Sequence, residues 1–292
     1  MNEESDNRNC RTALARETLS ILEEGRYTDS NGVRVDISRQ VAACVAGTVL
    51  YKPAELAELV ATLDMATIGS RVTQFEVNGE TTLAAARRIV GEFGGERTLC
   101  LNFASAKNPG GGFLGGSQAQ EESLARSSAL YASLISQPTY YEANRACRTA
   151  IYTDHMIVSP NVPVFRNDGG KLLPQPYAVG ILTAPAVNAG AVLTNEPANE
   201  AYIVPKLIER IEMVLAVAVQ RGYLRLILGA WGCGVFRNDP ATIAGLFAKA
   251  LQSDKRFSNW FSVVTFAVLD GSAEQRYISP FRKAFDQREV AS

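Results

Sequence analysis

Two adjacent glutamates, Glu121 and Glu122, close a glycine-rich stretch, NPGGGFLGGSQAQEES, at residues 108–123. A carboxyl group can give a proton to a leaving atom and take one from water, the two transfers of general acid–base chemistry. The glycines at 110–112 and 115–116 carry no Cβ, so a ligand can lie directly against the backbone there. A second such stretch, LGAWGCGVFRNDP at 228–240, frees the backbone at Gly229, Gly232 and Gly234 and ends in Asp239-Pro240, a helix start. Free N–H groups ahead of a helix N-terminus form a cradle for an anion. The stretch is neither G-x-G-x-x-G nor G-x-x-x-x-G-K-[ST]. Trp231 and Phe236 add aromatic surface that could stack on a ring or fill the core. Each stretch taken alone also has a plain structural reading: a tight connection in one case, and acidic residues favouring a helix dipole in the other.

Other chemistries are excluded by what the chain lacks. Its single histidine, His155, rules out a multi-histidine metal centre. In YTDHMIVSP it has no nucleophile elbow near it and reads as a structural residue. Five cysteines (Cys10, Cys44, Cys100, Cys147, Cys233) are an odd number without a C-x-x-C pair, which argues against a disulfide framework or a zinc knuckle and for a reducing cytoplasm. A net charge of -1 argues against a general nucleic-acid binder. The polar, acidic N-terminus is the opposite of a secretory signal, and the apolar runs are too short to span a membrane.

These residues need a scaffold, and the hydrophobic periodicity supplies one. Helical spacing runs through CRTALARETLSILEEG, DISRQVAACVAGT, KPAELAELVATL and GETTLAAARRIVGEFGG, with SRVTQFEVN a strand between the last two. RTLCLNFA reads as a buried strand, followed by the first glycine loop and one helix, QEESLARSSALYASLI. HMIVSPNVPVF and AVGILTAP read as strands, EAYIVPKLIERIEMVLAVAVQRG as a long helix, and YLRLILGA as the strand before the second glycine loop. ATIAGLFAKAL, WFSVVTFAVLD and AEQRYISPFRKAF complete the pattern as helix, strand and helix. Strands joined by crossover-length helices call for an α/β fold, a three-layer α/β/α arrangement whose ligands sit at the carboxyl ends of the strands. Residues 1–65 read as a helical extension packed on the core and 66–292 as one compact catalytic unit. Ser117 with Gln120 fits a capping box, which sets Glu121 and Glu122 just inside a helix.

Together the two stretches are specific. Gly110-Gly111-Gly112, seven residues, then Gln120-Glu121-Glu122 resembles the signature of the bacterial-type poly(ADP-ribose) glycohydrolases, which are macrodomains. The resemblance continues through LNFASAKNPGGGF, SPNVPVFRNDGGKLL, LTAPAVNAGA and LGAWGCGVFRNDP, most of the chain. It implies a mixed, mostly parallel sheet, a substrate of poly(ADP-ribose) on ADP-ribosylated proteins, ADP-ribose as product, and no cofactor or metal. It also implies roles: Glu122 catalytic, Glu121 its partner on the ribose hydroxyls, and Gly110, Gly111, Gly112 and Gln120 around the ribose to be cleaved. Gly232, Gly234 and Val235 fall on the diphosphate, Phe236 on the distal ribose pocket, and Asn102 where related macrodomains keep a ribose-binding asparagine. Where macrodomains with N-A-A-N have a second asparagine this chain has Ser105, which favours glutamate chemistry. The alternatives are a hydrolase of single ADP-ribose units on protein and an ADP-ribose-binding module without catalysis.

Successive helical residues point about 100° apart, so Glu121 and Glu122 are not the opposed pair of an ordinary glycosidase, and one glutamate, Glu122, serves as both acid and base. A helix N-terminus lowers a carboxylate pKa; burial under substrate, the charge of Glu121 and the diphosphate act the other way. With one histidine and no carboxylate cluster of ligand spacing in the two loops, turnover of poly(ADP-ribose) is expected to be the same in EDTA as without it. Loss of turnover on chelation, restored by Mg²⁺ or Zn²⁺, would refute this reading of the site.

Overall fold

The computed structural model describes residues 3–63 and 71–285. TLCLNF, strand β5 (Thr98–Phe103), is buried along nearly its whole length, as a strand covered on both faces must be. Its side chains alternate between two cores: Leu99 and Leu101 join one, Cys100 the other. β5 lies at the centre of a seven-stranded sheet ordered β3-β6-β7-β5-β8-β9-β4. The other strands are β3 (Val49–Tyr51), β4 (Gln74–Asn78), β6 (Met156–Arg166), β7 (Leu172–Ala184), β8 (Arg225–Leu228) and β9 (Val263–Ala267). Five strands from β7 to β4 run parallel; at one edge β6 pairs antiparallel with β7 and β3 pairs antiparallel with β6. The sheet is therefore mixed and mostly parallel, as expected.

One face is covered by α3 (Pro53–Thr62), α9 (Ile203–Gln220), α10 (Pro240–Ala248) and α11 (Ile278–Phe285). The other carries α2 (Ser38–Gly47), α4 (Thr82–Phe93), α5 (Gln120–Ser127), α6 (Leu130–Ile135) and α7 (Pro138–Ala146). α8 (Ala189–Asn195) follows β7, and α1 (Glu3–Glu24) precedes a small hairpin of β1 (Arg26–Thr28) and β2 (Arg34–Asp36). The first 63 residues thus hold more than helices, because β3 is an edge strand of the main sheet, paired with β6. At three residues it is too short to show an alternation. The boundary expected at 65/66, like the first residue of SRVTQFEVN, lies outside the described residues.

QEESLARSSALYASLI, expected as one helix, is two. Ser128 takes extended backbone (φ -149°, ψ 176°) and bridges to Val164 of β6. Its hydroxyl donates to the Leu124 carbonyl (2.7 Å) and accepts from the Leu130 N–H (3.2 Å), so one side chain ends α5 and starts α6. The helix expected from Glu200 begins at Ile203, after a 3₁₀ segment at Pro197–Tyr202. The hairpin between β6 and β7 reaches across the helical face, and at its tip Asp168 accepts a hydrogen bond from the N-cap Thr81 of α4 (2.8 Å).

Candidate active site

The loop of residues 104–119 leaves the carboxyl end of β5, and α5 brings the chain back. Gln120 is the first residue of α5, and its side chain seals this junction: it accepts from the Phe103 N–H (2.9 Å) and donates to the Leu101 carbonyl (2.8 Å) and Thr82 Oγ1 (3.1 Å). The expected capping box is not formed. Ala119 is the N-cap, with no side-chain cap, because Gln120 is drawn to the backbone groups that β5 leaves unpaired at its end. Ser117 instead packs on Gly112, where a Cβ would stand 2.5 Å from its hydroxyl.

Next in sequence, the two glutamates part company. Glu121 points into the protein and is 2% exposed; it accepts from the Ser105 N–H (2.6 Å) and Asn102 Nδ2 (3.2 Å). Burial pushes its carboxyl up to about 8, against the pull of these donors. Asn102 is fully buried and also donates to Thr183 Oγ1 (3.2 Å), so it stands beneath the cleft as the support of Glu121. Glu122 lies at the cleft surface, with Oε1 accepting from the Gly112 N–H (3.0 Å). Gly111 lies between them at φ +61°: a Cβ there would fall 2.4 Å from Glu122 Oε1 and 3.3 Å from Glu121 Oε2. The two carboxyl groups therefore meet at a point that only glycine can occupy. Gly110 faces inward, where a Cβ would strike the Phe113 ring at 2.9 Å.

The second loop, 229–238, packs against the end of β7. Gly232 (φ +72°) is pressed so closely there that a Cβ would fall 2.5 Å from Asn238 Nδ2 and 2.6 Å from Ala186 Cβ. Asn238 donates in turn to the Val187 carbonyl (2.8 Å). Gly234, Val235 and Phe236 line the cleft, Val235 81% exposed and Phe236 half-buried with its ring 5.9 Å from that of Tyr152. Trp231 is completely buried against Phe247, so of the two aromatics one fills the core and one lines the cleft. Cys233 also lines the cleft, but burial pushes its thiol up to about 12, which leaves it no thiolate at neutral pH. Asp239 caps α10 through the Thr242 N–H (2.8 Å), with Pro240 next to it, as the sequence indicates.

Both loops open on one cleft of about 1110 Å³, whose walls include Gly111, Gly112, Gln120, Glu121 and Glu122 from the first. His155 stands apart from it, its Nδ1 bonded to Thr153 Oγ1 (2.9 Å) and its pKa lowered by burial. Among the described residues, no three His, Cys, Asp or Glu side chains gather where a metal ion could be held. Sequence reasoning missed the Ser105 N–H as the donor to Glu121, and it missed that α1 borders the cleft. A signal for α1 was present: Arg8 and Arg11, one helical turn apart, both reach the first loop, donating to the carbonyls of Gly115 (2.9 Å) and Gly116 (2.7 Å).

The family described as "Microbial-type PARG, catalytic domain" matches residues 15–167, just over half of the chain. Among solved structures the chain is similar to poly(ADP-ribose) glycohydrolase (PARG) from Thermomonospora curvata, at 48% identity and a TM-score of 0.90, covering 95% of this chain and 100% of that one. A second structure from that organism, bound to the inhibitor ADP-HPD, is 47% identical over the same shares, with a TM-score of 0.88. The chain is also similar to PARG from Deinococcus radiodurans in complex with ADP-ribose, at 48% identity and a TM-score of 0.79, covering 84% of this chain and 97% of that one. No curated protein sequence matches the chain.

The buried carboxyl has a measurable consequence. Glu121 has a raised pKa in the fold, so the folded protein holds a proton that the unfolded chain has released, and the stability it contributes below about pH 4.5 is lost as pH rises through about 8. In chemical denaturation from pH 5 to 9, the decline of unfolding free energy with pH is expected to be shallower in Glu121→Gln than in wild type. Equal slopes would mean that Glu121 is ionised in the fold.

Proposed function

Because the chain belongs to the microbial-type poly(ADP-ribose) glycohydrolase family, we propose that its cleft grips the terminal unit of poly(ADP-ribose) and that Glu122 makes both proton transfers that free it as ADP-ribose. The protein is a glycohydrolase acting on the ribose–ribose bond. The observation that carries the assignment to Glu122 is its setting: it lies at the cleft surface, held by the Gly112 N–H and pressed against Gly111, with Glu121 buried beneath.

The distal ribose of the terminal unit sits over Gly111, where the missing side chain leaves room. Glu122 protonates the leaving ribose oxygen, the C1–O bond breaks, and an oxocarbenium-like ribose forms. Glu122, now a carboxylate, takes a proton from the incoming water as its oxygen bonds to C1, which returns the residue to its starting form. Glu121, raised to about 8, is protonated at neutral pH and offers an O–H to a ribose hydroxyl. Gly232 and Gly234 carry backbone N–H groups to the diphosphate, and Phe236 flanks the distal ribose. Gly112 and Gln120 hold the catalytic loop in shape, and Asn102 acts through Glu121. Poly(ADP-ribose) on modified proteins is the substrate, and the cytoplasm is its place of action. The five cysteines are all free, and among the described residues no helix is long and apolar enough to cross a membrane.

Glu122→Gln keeps the shape of the side chain without its proton chemistry. ADP-ribose release is expected to fall by at least about 10²-fold while ADP-ribose binding, read by calorimetry, stays near the wild-type value. Near-normal turnover would refute the assignment. Gly111→Ala, which moves the Glu122 carboxyl out of place, is expected to cost about 10²-fold in turnover. If it turns over like wild type, the close approach at Gly111 has no part in catalysis.

A further inference from the structure

The cleft does not end at Glu122. Away from the 229–238 loop, which packs on Ala186 and Val187, it continues onto α1, where Asn7, Cys10, Arg11 and Leu14 line it, and onto Arg126, one turn beyond Glu122 on α5. α1 is fastened at this flank. A Cβ on Gly116 would fall 2.4 Å from the Arg8 carbonyl oxygen, and the Arg11 Nε–H donates to the Gly116 carbonyl (2.7 Å). That bond uses one donor of Arg11, and its two terminal nitrogens have no partner among the described residues.

The charge here is unbalanced. Arg166, 1% exposed, is paired with Glu17 (2.6 Å). Arg126 donates to the Ser117 carbonyl (2.8 Å) and to Gln118 Oε1, and among the described residues neither it nor Arg11 has an ion-pair partner. Burial pulls the Arg126 guanidinium down; Glu122 opposes this, while the neighbouring positive charges of Arg11 and Arg166 add to it. Besides Glu121 and Glu122, the acidic groups that share the cleft are already engaged: Asp168 with Thr81 (2.8 Å) and Glu80 with Arg88 (2.7 Å).

Cleavage at Glu122 divides the polymer in two. With the departing ADP-ribose held on the 229–238 side, the α1 side of the same cleft is open to the other product, the shortened chain. Its new end is the 2′-oxygen of an adenosine whose 5′-carbon bears the next diphosphate. A guanidinium with free N–H groups and no counter-ion is the matching partner for that diphosphate. We propose that Arg11, backed by Arg126, is a leaving-side subsite for the diphosphate of the penultimate ADP-ribose unit, so that the enzyme prefers chains over isolated terminal units. The proposal rests on the reading that Glu122 cleaves poly(ADP-ribose).

The test compares two substrates with the same scissile bond on the full-length protein: the dimer of ADP-ribose, and a synthetic ADP-ribosyl-(1→2′)-adenosine that lacks the leaving-side diphosphate. Wild type is expected to favour the dimer in kcat/KM by about tenfold or more, and the ratio should shrink as salt is raised. In Arg11→Gln the ratio should collapse toward one whatever the absolute rates, and Arg11→Lys should restore part of it. If Arg11 only fastens the loop, both substrates lose alike and the ratio keeps its wild-type value, which overturns the proposal. A wild-type ratio near one overturns it without any variant. Wild type inactive on both substrates would refute the hydrolase reading itself, and the subsite with it.

Discussion

The Glu121 carboxyl is taken out of water beneath the loop that follows β5, and a carboxyl so placed must be met by donors or stay protonated. Both happen: the Ser105 N–H and Asn102 reach it, and burial still raises it to about 8. To bring the Ser105 N–H there, the chain must turn sharply where β5 ends. Ser105 Oγ stabilises the turn by accepting from the Asn108 N–H (3.2 Å). The loop then folds over α5, Gly111 comes to rest on the two carboxyl groups, and Glu122 is left at the surface in the grip of the Gly112 N–H. The different settings of two neighbouring glutamates thus follow from burying one of them.

A loop so constrained needs fixed walls, and three distant parts of the chain provide them. Gln120 ties its far end to β5 and α4. From α1, Arg8 and Arg11 hold its glycine turn, and Ala15 packs with Phe113 and Ala125 behind it. The β6–β7 hairpin contributes Arg166, which joins α1 to α5 by donating to Thr18 Oγ1 and the Arg126 carbonyl. This explains how a glycine-rich segment, costly in backbone entropy, is held in one conformation.

The second loop is rigid for a different reason. It has no buried charge to satisfy and is held by close packing, with Gly232 against Ala186 and Asn238 bonded to Val187. Between them the two loops set the Glu122 carboxyl group and the glycine backbone of Gly232 and Gly234 on one cleft.

Much of this was legible in the residues alone. Buried runs such as TLCLNF, helical spacing, the Asp239-Pro240 start and the spacing from Gly110 to Glu122 are local features, and local features determined the layer architecture and the identity of the loops. Where the sequence reading departs from the structure, a long-range contact decided. Ser128 breaks a helix because Val164 and Pro163 lie beside it, and Gln120 abandons its cap for the end of β5. β3 is a strand because β6 is there to pair with it. Nothing in the pair Glu121-Glu122 tells which side chain is buried, since either could be turned inward by the rotation of the helix. Burial is a property of what packs around a residue, and for Glu121 that is Asn102 and Ser105, brought to it only when β5, its loop and α5 close on one another.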